Sequence, residues 1–126
     1  LELQVQSSAE DTDFIARLCV EEPAGSIICL TLGSQRCRYR CSWSDPKPLE
    51  RDQETRLSLQ MGQLAYVFPK GSRIALVLTS SDFPRILPHP NTMAGPWQGG
   101  PLVVARNSVL HGPQIRSRLQ LPVLEL

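Results

Sequence analysis

Apolar and polar residues alternate from the first position. Leu1, Leu3 and Val5 fall on one side of an extended chain and Glu2, Gln4 and Gln6 on the other, the period of a half-buried strand over residues 1–7. A polar run, Ser7-Ser8-Ala9-Glu10-Asp11-Thr12-Asp13, interrupts the pattern, and Phe14, Ala16, Leu18 and Val20 restart it. Glu22-Pro23-Ala24-Gly25 carries turn chemistry, so residues 27–32 read as the hairpin partner of residues 14–20. The next segment, Arg36 to Trp43, alternates again: Cys37, Tyr39, Cys41 and Trp43 share one side, while Arg36, Arg38, Arg40 and Ser42 share the other. This pattern predicts a strand with a buried face and a solvated, Arg-rich face. On that reading, removing the Tyr39 ring costs much more stability than truncating Arg38.

Farther along, Ser44 to Asp52 is a Pro-rich loop, and Leu57, Leu59 and Met61 mark another period-two segment. Tyr66-Val67-Phe68 leads into Pro69-Lys70-Gly71-Ser72, where Pro69 suits the first central position of a turn and Gly71 its exit. Residues 73–79 are almost wholly apolar after Arg73, which predicts a central strand covered on both faces. The segment 82–100 is rich in proline and glycine and is long for a connection in a compact domain. Strands near 102–110 and 117–124 close the chain around His111-Gly112-Pro113. With no convincing helical period anywhere, the pattern predicts an all-β domain, a β-sandwich with Greek-key or jelly-roll connections.

A length of 126 residues supports one core, so residues 1–126 read as a single domain. Net charge is +1, from thirteen basic and twelve acidic residues, which gives no bulk attraction to nucleic acid or an anionic membrane. No apolar run is long enough to span a bilayer. Eleven of the basic residues are Arg, and most are expected on solvated strand faces.

The cysteines, at 19, 29, 37 and 41, show no CxxC spacing, which argues against a zinc site. In an extended strand Cys37 and Cys41 would lie roughly 13 Å apart, too far to bond. Cys19 and Cys29 could face each other across a hairpin, but buried free thiols explain all four equally well. Reduced thiols favour a cytoplasmic protein.

Candidate chemistry is sparse. GxSxG, GxGxxG, P-loop and HExxH patterns are all missing from the sequence. Asp11 with Asp13, and Glu21 with Glu22, are nominal carboxylate pairs, but the aspartates are expected to cap a turn. His89, in Pro88-His89-Pro90, and His111 read as surface loop residues. No cofactor or metal is implied. In Ser80-Ser81-Asp82-Phe83-Pro84-Arg85, Asp82 and the hydroxyls are expected to bond to nearby backbone, Phe83 to anchor the loop in the core, and Arg85 to pair with Asp82 or face a partner.

Several stretches carry a family resemblance: Asp11-Thr12-Asp13-Phe14, Arg36-x-Arg38-Tyr39-Arg40, Val67 to Ile74, Ser80 to Arg85 with Asn91-Thr92, and Ala105 to Val109. In this order they resemble the C-terminal domain of X-Pro dipeptidyl-peptidase and cocaine-esterase-type hydrolases, from about residue 3 to about residue 123. The resemblance implies a galactose-binding-like jelly roll packed on an α/β-hydrolase domain that holds the Ser-Asp-His triad. None of that triad maps onto this chain, so neither His89 nor His111 is the catalytic histidine. The family domain is longer at its N-terminal side, which implies that the opening strand or strands are lacking here. Ser72 stands where the family commonly has His, and residues 89–95 carry two residues before the glycine of the family's Asn-Thr-Gly run.

The expected function is therefore a non-catalytic accessory domain of a serine hydrolase acting on esters or X-Pro peptides. Asp82, Phe83, Arg85, Trp43 and Trp97 are candidates for its domain interface or cleft rim, and an uncovered sheet edge is expected to promote homo-oligomers. The alternative is a free-standing carbohydrate or small-ligand binding sandwich, for which a concave patch bearing Trp43 or Trp97 would be the mark.

Overall fold

The computed structural model describes residues 1–95, 97–115 and 117–124. Six strands occur among them: β1 (Glu2–Ser7), β2 (Asp13–Glu21), β3 (Ile27–Arg36), β4 (Thr55–Ser58), β5 (Arg73–Thr79) and β6 (Asn107–Leu110). They form two three-stranded antiparallel sheets, ordered β4-β1-β6 and β3-β2-β5. The only helical turn among the described residues is a single 3-10 turn, Cys37–Tyr39. The fold is all-β, as the alternation implies.

The core lies between the sheets. Leu3, Val5 and Leu57 from one meet Phe14 and Ala16 from the other, closed by Cys37, Leu49 and Leu59. Strand β1 buries alternate residues, Leu3, Val5 and Ser7. Leu57 has no exposed surface, and its truncation to Ala would cost about 2–5 kcal/mol. Gly33 is required on β3 because a Cβ there would meet the Gln60 carbonyl oxygen at 2.7 Å and the Met61 sulfur at 2.8 Å. The chain after β4 thereby packs closely along the β3 edge, where the Gly62 N–H donates to the Leu32 carbonyl.

The doubly covered strand is β2, not the 73–79 segment. All of β2 is buried except Arg17 and Glu21, which are half-buried. Strand β5 lies at a sheet edge, with Ile74 53% and Val77 40% exposed. Its apolar composition reflects an uncovered surface as well as a core. The two sheets differ in reach: β2 and β3 have nine and ten residues against six for β1. Past the rows that join the core cluster, Val20 pairs with Ile28 on one side and Ile74 on the other. Val20 is buried while Ile28 and Ile74 stand half open, a short apolar row at the end of the longer sheet.

Three other expectations are corrected. Residues 36–43 are not a strand: β3 ends at Arg36 and the chain coils at Cys37–Tyr39. Cys37 and Arg38 are buried, while Cys41 and Trp43 are exposed. In the turn at 69–72 the Ser72 N–H donates to the Pro69 carbonyl, so Pro69 is the first residue and Lys70-Gly71 are central. Gly71 takes the positive φ, 85°, that the third position of such a turn requires. The chain after β6 forms no strand among its described residues. It returns as a bridge in which Glu2 and Arg118 exchange backbone hydrogen bonds, beside which the Ser117 hydroxyl accepts the Gln4 N–H and donates to the Leu110 carbonyl.

Candidate functional site

The most concentrated chemistry is buried. Asp11, fully inaccessible, accepts the backbone N–H of Arg38 at 2.8 Å and the Arg38 Nε–H, and lies 3.0 Å from His89 Nε2. His89 Nδ1 accepts the Asn91 N–H at 2.8 Å, which leaves Nε2 to carry the ring proton toward Asp11. The remaining Arg38 donors reach the carbonyls of Thr92, Met93 and Ala94 at 2.8, 2.8 and 3.2 Å. Glu10 accepts the Met93 N–H. Arg38 thus fastens the 89–95 segment to the end of the β2–β3 hairpin, giving a long Pro-rich loop a fixed course. Burial alone would raise the Asp11 carboxyl, but hydrogen bonds from His89 and Arg38 outweigh it and hold the group below its ordinary value.

Asp13 is bound bidentately by Arg36, through Nε at 2.9 Å and Nη2 at 3.0 Å. That hydrogen bond outweighs partial burial and raises the Arg36 pKa further. The neighbouring Cys37 thiol is pushed up to about 12, by burial first and then by the Asp11 and Asp13 charges. Neither aspartate acts as a turn cap, and His89 is a core residue, 8% exposed, rather than a surface one. Arg17, Arg36 and Arg38 engage buried carboxylates, as does the more exposed Arg85, whereas Arg51, Arg56, Arg73, Arg106 and Arg118 are largely exposed and pair with carboxylates that water reaches.

The missed signal is a register. Asp13 pairs with Arg36 in the β2–β3 ladder, and the Cys37 N–H donates to the Thr12 carbonyl at 3.0 Å. Asp11 opposite Arg38 is the next step of the same antiparallel progression. An Asp-x-Asp run opposite an Arg-x-Arg run is a charge-complementary ladder that alternation alone does not reveal.

The second group is the turn after β5. Asp82, buried, receives Arg17 from β2 and Arg85 at 3.3 Å. The expected Arg85 pairing is present, but the main partner is Arg17 of the neighbouring strand. Phe83 is 69% exposed and does not anchor the loop in the core. Its peptide bond to Pro84 is cis. Trp43 stacks on Tyr39 with centroids 5.2 Å apart and leaves its outer face open, and Trp97 is 83% exposed. The structure therefore presents Phe83, Trp43 and Trp97 to solvent and fixes Asp82 from behind.

Clefts open on the surface of the sandwich, two of them among the described residues. One, about 420 Å³, is lined by Leu1, Glu2, Ser58, Arg118, Gln120 and Leu121 with Pro122. The other, about 260 Å³, is lined by Phe14, Leu78, Thr79, Ser80, Asn107 and Val109. Beside Ser80 this lining holds no His, Lys or carboxylate. Neither cavity includes Trp43 or Trp97. Among the described residues no group of three or more His, Cys, Asp or Glu is placed to hold a metal ion, and no helix is long and apolar enough to cross a membrane.

Residues 1–120 match the family described as the X-Pro dipeptidyl-peptidase C-terminal non-catalytic domain. The chain belongs to this family. It is 34% identical over 125 residues to the cocaine esterase of Rhodococcus sp. (strain MB1 Bresler), a match covering 98% of the chain and 22% of that protein. Among solved structures, an α-amino acid ester hydrolase superposes with a TM-score of 0.85 at 26% identity, over 90% of this chain and 20% of its own. An aminopeptidase from a marine sediment archaeon, Thaumarchaeota archaeon, superposes with a TM-score of 0.81 at 24% identity, over 86% of this chain and 20% of its own, and shares the fold. The chain thus spans about a fifth of the proteins it matches. In this chain His89 and Arg38 hold Asp11 and the 89–95 loop.

Proposed function

We propose that this chain is the accessory β-domain of a serine hydrolase that cleaves esters or X-Pro peptides, stabilising an α/β-hydrolase domain and forming part of its cleft rim. The observation that carries the reading is the match of residues 1–120 to a domain family described as non-catalytic. The two ends of the sandwich supply two contact types. The Ile28–Val20–Ile74 row is an apolar surface suited to a flat protein partner, and the turn bearing Phe83 offers an exposed aromatic on a braced support, a side chain able to anchor a contact at the cleft. The acyl-enzyme chemistry then belongs to the partner domain. The balanced charge suits neither nucleic acid nor an anionic membrane as partner. A cytoplasmic setting and, for the chain on its own, homo-oligomers that cover the open row complete the proposal.

The test is labelling and turnover with the chain alone. No hydrolysis of p-nitrophenyl esters or Gly-Pro-p-nitroanilide above buffer is expected, and no reaction with a fluorophosphonate probe. Labelling at Ser80 or Ser81 that heat denaturation abolishes would instead make this chain an enzyme.

A further inference from the structure

The β2–β3 hairpin places two thiols opposite each other: Cys19 is the ladder partner of Cys29. We propose that these two residues are a redox modification site, a cross-strand dithiol that a low-molecular-weight disulfide such as oxidised glutathione converts to an intramolecular disulfide. Directly opposed residues of an antiparallel pair have Cα atoms about 4.5–5.5 Å apart, inside the range of about 4.4–6.8 Å that a disulfide spans. Their side chains share one face of the sheet, and the face is the one turned away from the inter-sheet core, since Phe14, Ala16 and Leu18 alternate to the other side. The register shift beside them leaves Leu30 as the extra residue on β3, and a bulge twists and loosens the ladder at that point. The strand can therefore adjust as the bond closes.

The two sulfurs differ in access, which divides their roles. Cys29 is exposed and Cys19 is 2% exposed. Cys29 is the sulfur that a dissolved oxidant reaches first, and Cys19 is the resolving partner, shielded from every thiol or disulfide except its neighbour. Burial, and then the adjacent Cys29 sulfur, push the Cys19 thiol up, so the resolving step is the one favoured by alkaline pH.

The exchange balances in two displacements. The Cys29 thiolate attacks one sulfur of oxidised glutathione, forming a mixed disulfide and expelling one glutathione thiolate. The Cys19 thiolate then attacks the Cys29 sulfur and expels the second. Both protein thiol protons end on glutathione: two protein thiols are oxidised and one glutathione disulfide is reduced. The product closes the short loop through the Glu22–Ser26 turn and fixes the register of β3 across its bulge.

Both cysteines lie in one tryptic peptide, Leu18–Arg36, so the outcome reads directly by mass spectrometry. The folded chain is incubated with oxidised glutathione, quenched in acid, unfolded, alkylated and digested. The expected product is Leu18–Arg36 lighter by two hydrogens and unalkylated, restored to two alkylations by dithiothreitol. Its formation should be about tenfold or more faster in the folded chain than in urea, because the ladder holds the thiols at high effective concentration. Closure should also accelerate from neutral to mildly alkaline pH. The exposed variant Cys29→Ser should give no linked peptide while keeping the folded circular dichroism spectrum. Recovery of Leu18–Arg36 with both cysteines alkylated, persistence of a glutathione adduct on Cys29 at alkaline pH, or closure no faster folded than unfolded would each overturn the proposal. A Cys41→Ser background removes the other exposed thiol, so a linkage that vanishes in it also counts against the assignment.

Discussion

Arg38 shows how one residue reverses an expected ranking. It lies on the side of residues 36–43 that alternation assigns to solvent, yet it donates to Asp11 and to three carbonyls of a distant loop. Removing it leaves Asp11 charged, buried and short of its partner, and unties residues 92–94. Arg38→Ala is expected to cost about 3–5 kcal/mol. Tyr39→Ala removes a half-buried ring whose specific contact is a stack on exposed Trp43, and should cost about 1–2 kcal/mol. Urea unfolding of both variants checks the order, and an equal or greater loss for Tyr39→Ala would contradict it. The same cluster sets an acid limit. Because the Asp11 pKa lies below its ordinary value in the folded state, the unfolded chain binds a proton that the folded chain resists. The stabilisation is therefore complete above the ordinary aspartate value and declines as pH falls below it toward the folded pKa. Asp11→Asn should be less stable than the parent chain at neutral pH and show a flatter loss between about pH 5 and pH 2, measured as urea midpoints.

At the scale of elements, the turn after β5 joins stability to exposure. Arg17 on β2 and Arg85 hold Asp82, so the adjacent Phe83 is presented outward without help from its own ring. Phe83→Ala should therefore change the stability of this chain by less than about 0.5 kcal/mol, whereas Asp82→Ala, which orphans the arginines over a buried site, should cost about 2 kcal/mol or more. Thermal melts of the two variants separate them; similar losses would mean that the ring packs inward. Alternation was enough to identify β1, whose every second residue is buried, and the turn chemistry of Glu22 to Gly25 between two apolar runs was enough to identify the β2–β3 hairpin. Alternation failed at 36–43, where the same period arises from a ladder of Asp and Arg that ends in a 3-10 turn. It failed at β5 for a different reason: an apolar strand is equally compatible with a second covering layer and with an open edge. Of the candidate site, the Arg85–Asp82 pair follows local chemistry, whereas the exposure of Trp43 runs against the buried face that alternation assigns to it. The Asp11–Arg38–His89 cluster joins residues up to 78 positions apart, beyond what a local pattern carries.

At the scale of the whole molecule, the unequal sheets leave a surface that calls for a partner. Ile28 and Ile74 flank buried Val20 at the end of the longer sheet. Apolar rows of this kind lower the free energy when they meet another surface, at about 25 cal/mol per Å² removed from water. In the proposed parent hydrolase the catalytic domain supplies that surface. With the chain alone, the available complement is a second copy, and a sheet end can meet its symmetry mate face to face. Sedimentation equilibrium should give an average mass that rises with concentration across the micromolar range. Ile74→Lys lies on an edge strand at an exposed position, so it should leave folding intact while shifting the chain toward monomer, because a charge placed in the contact must be desolvated without a partner. A monomer at every concentration in the unmodified chain, or association that Ile74→Lys leaves unchanged, would assign the contact to another surface, with the solvent-facing aromatics Phe83, Trp43 and Trp97 the next to test.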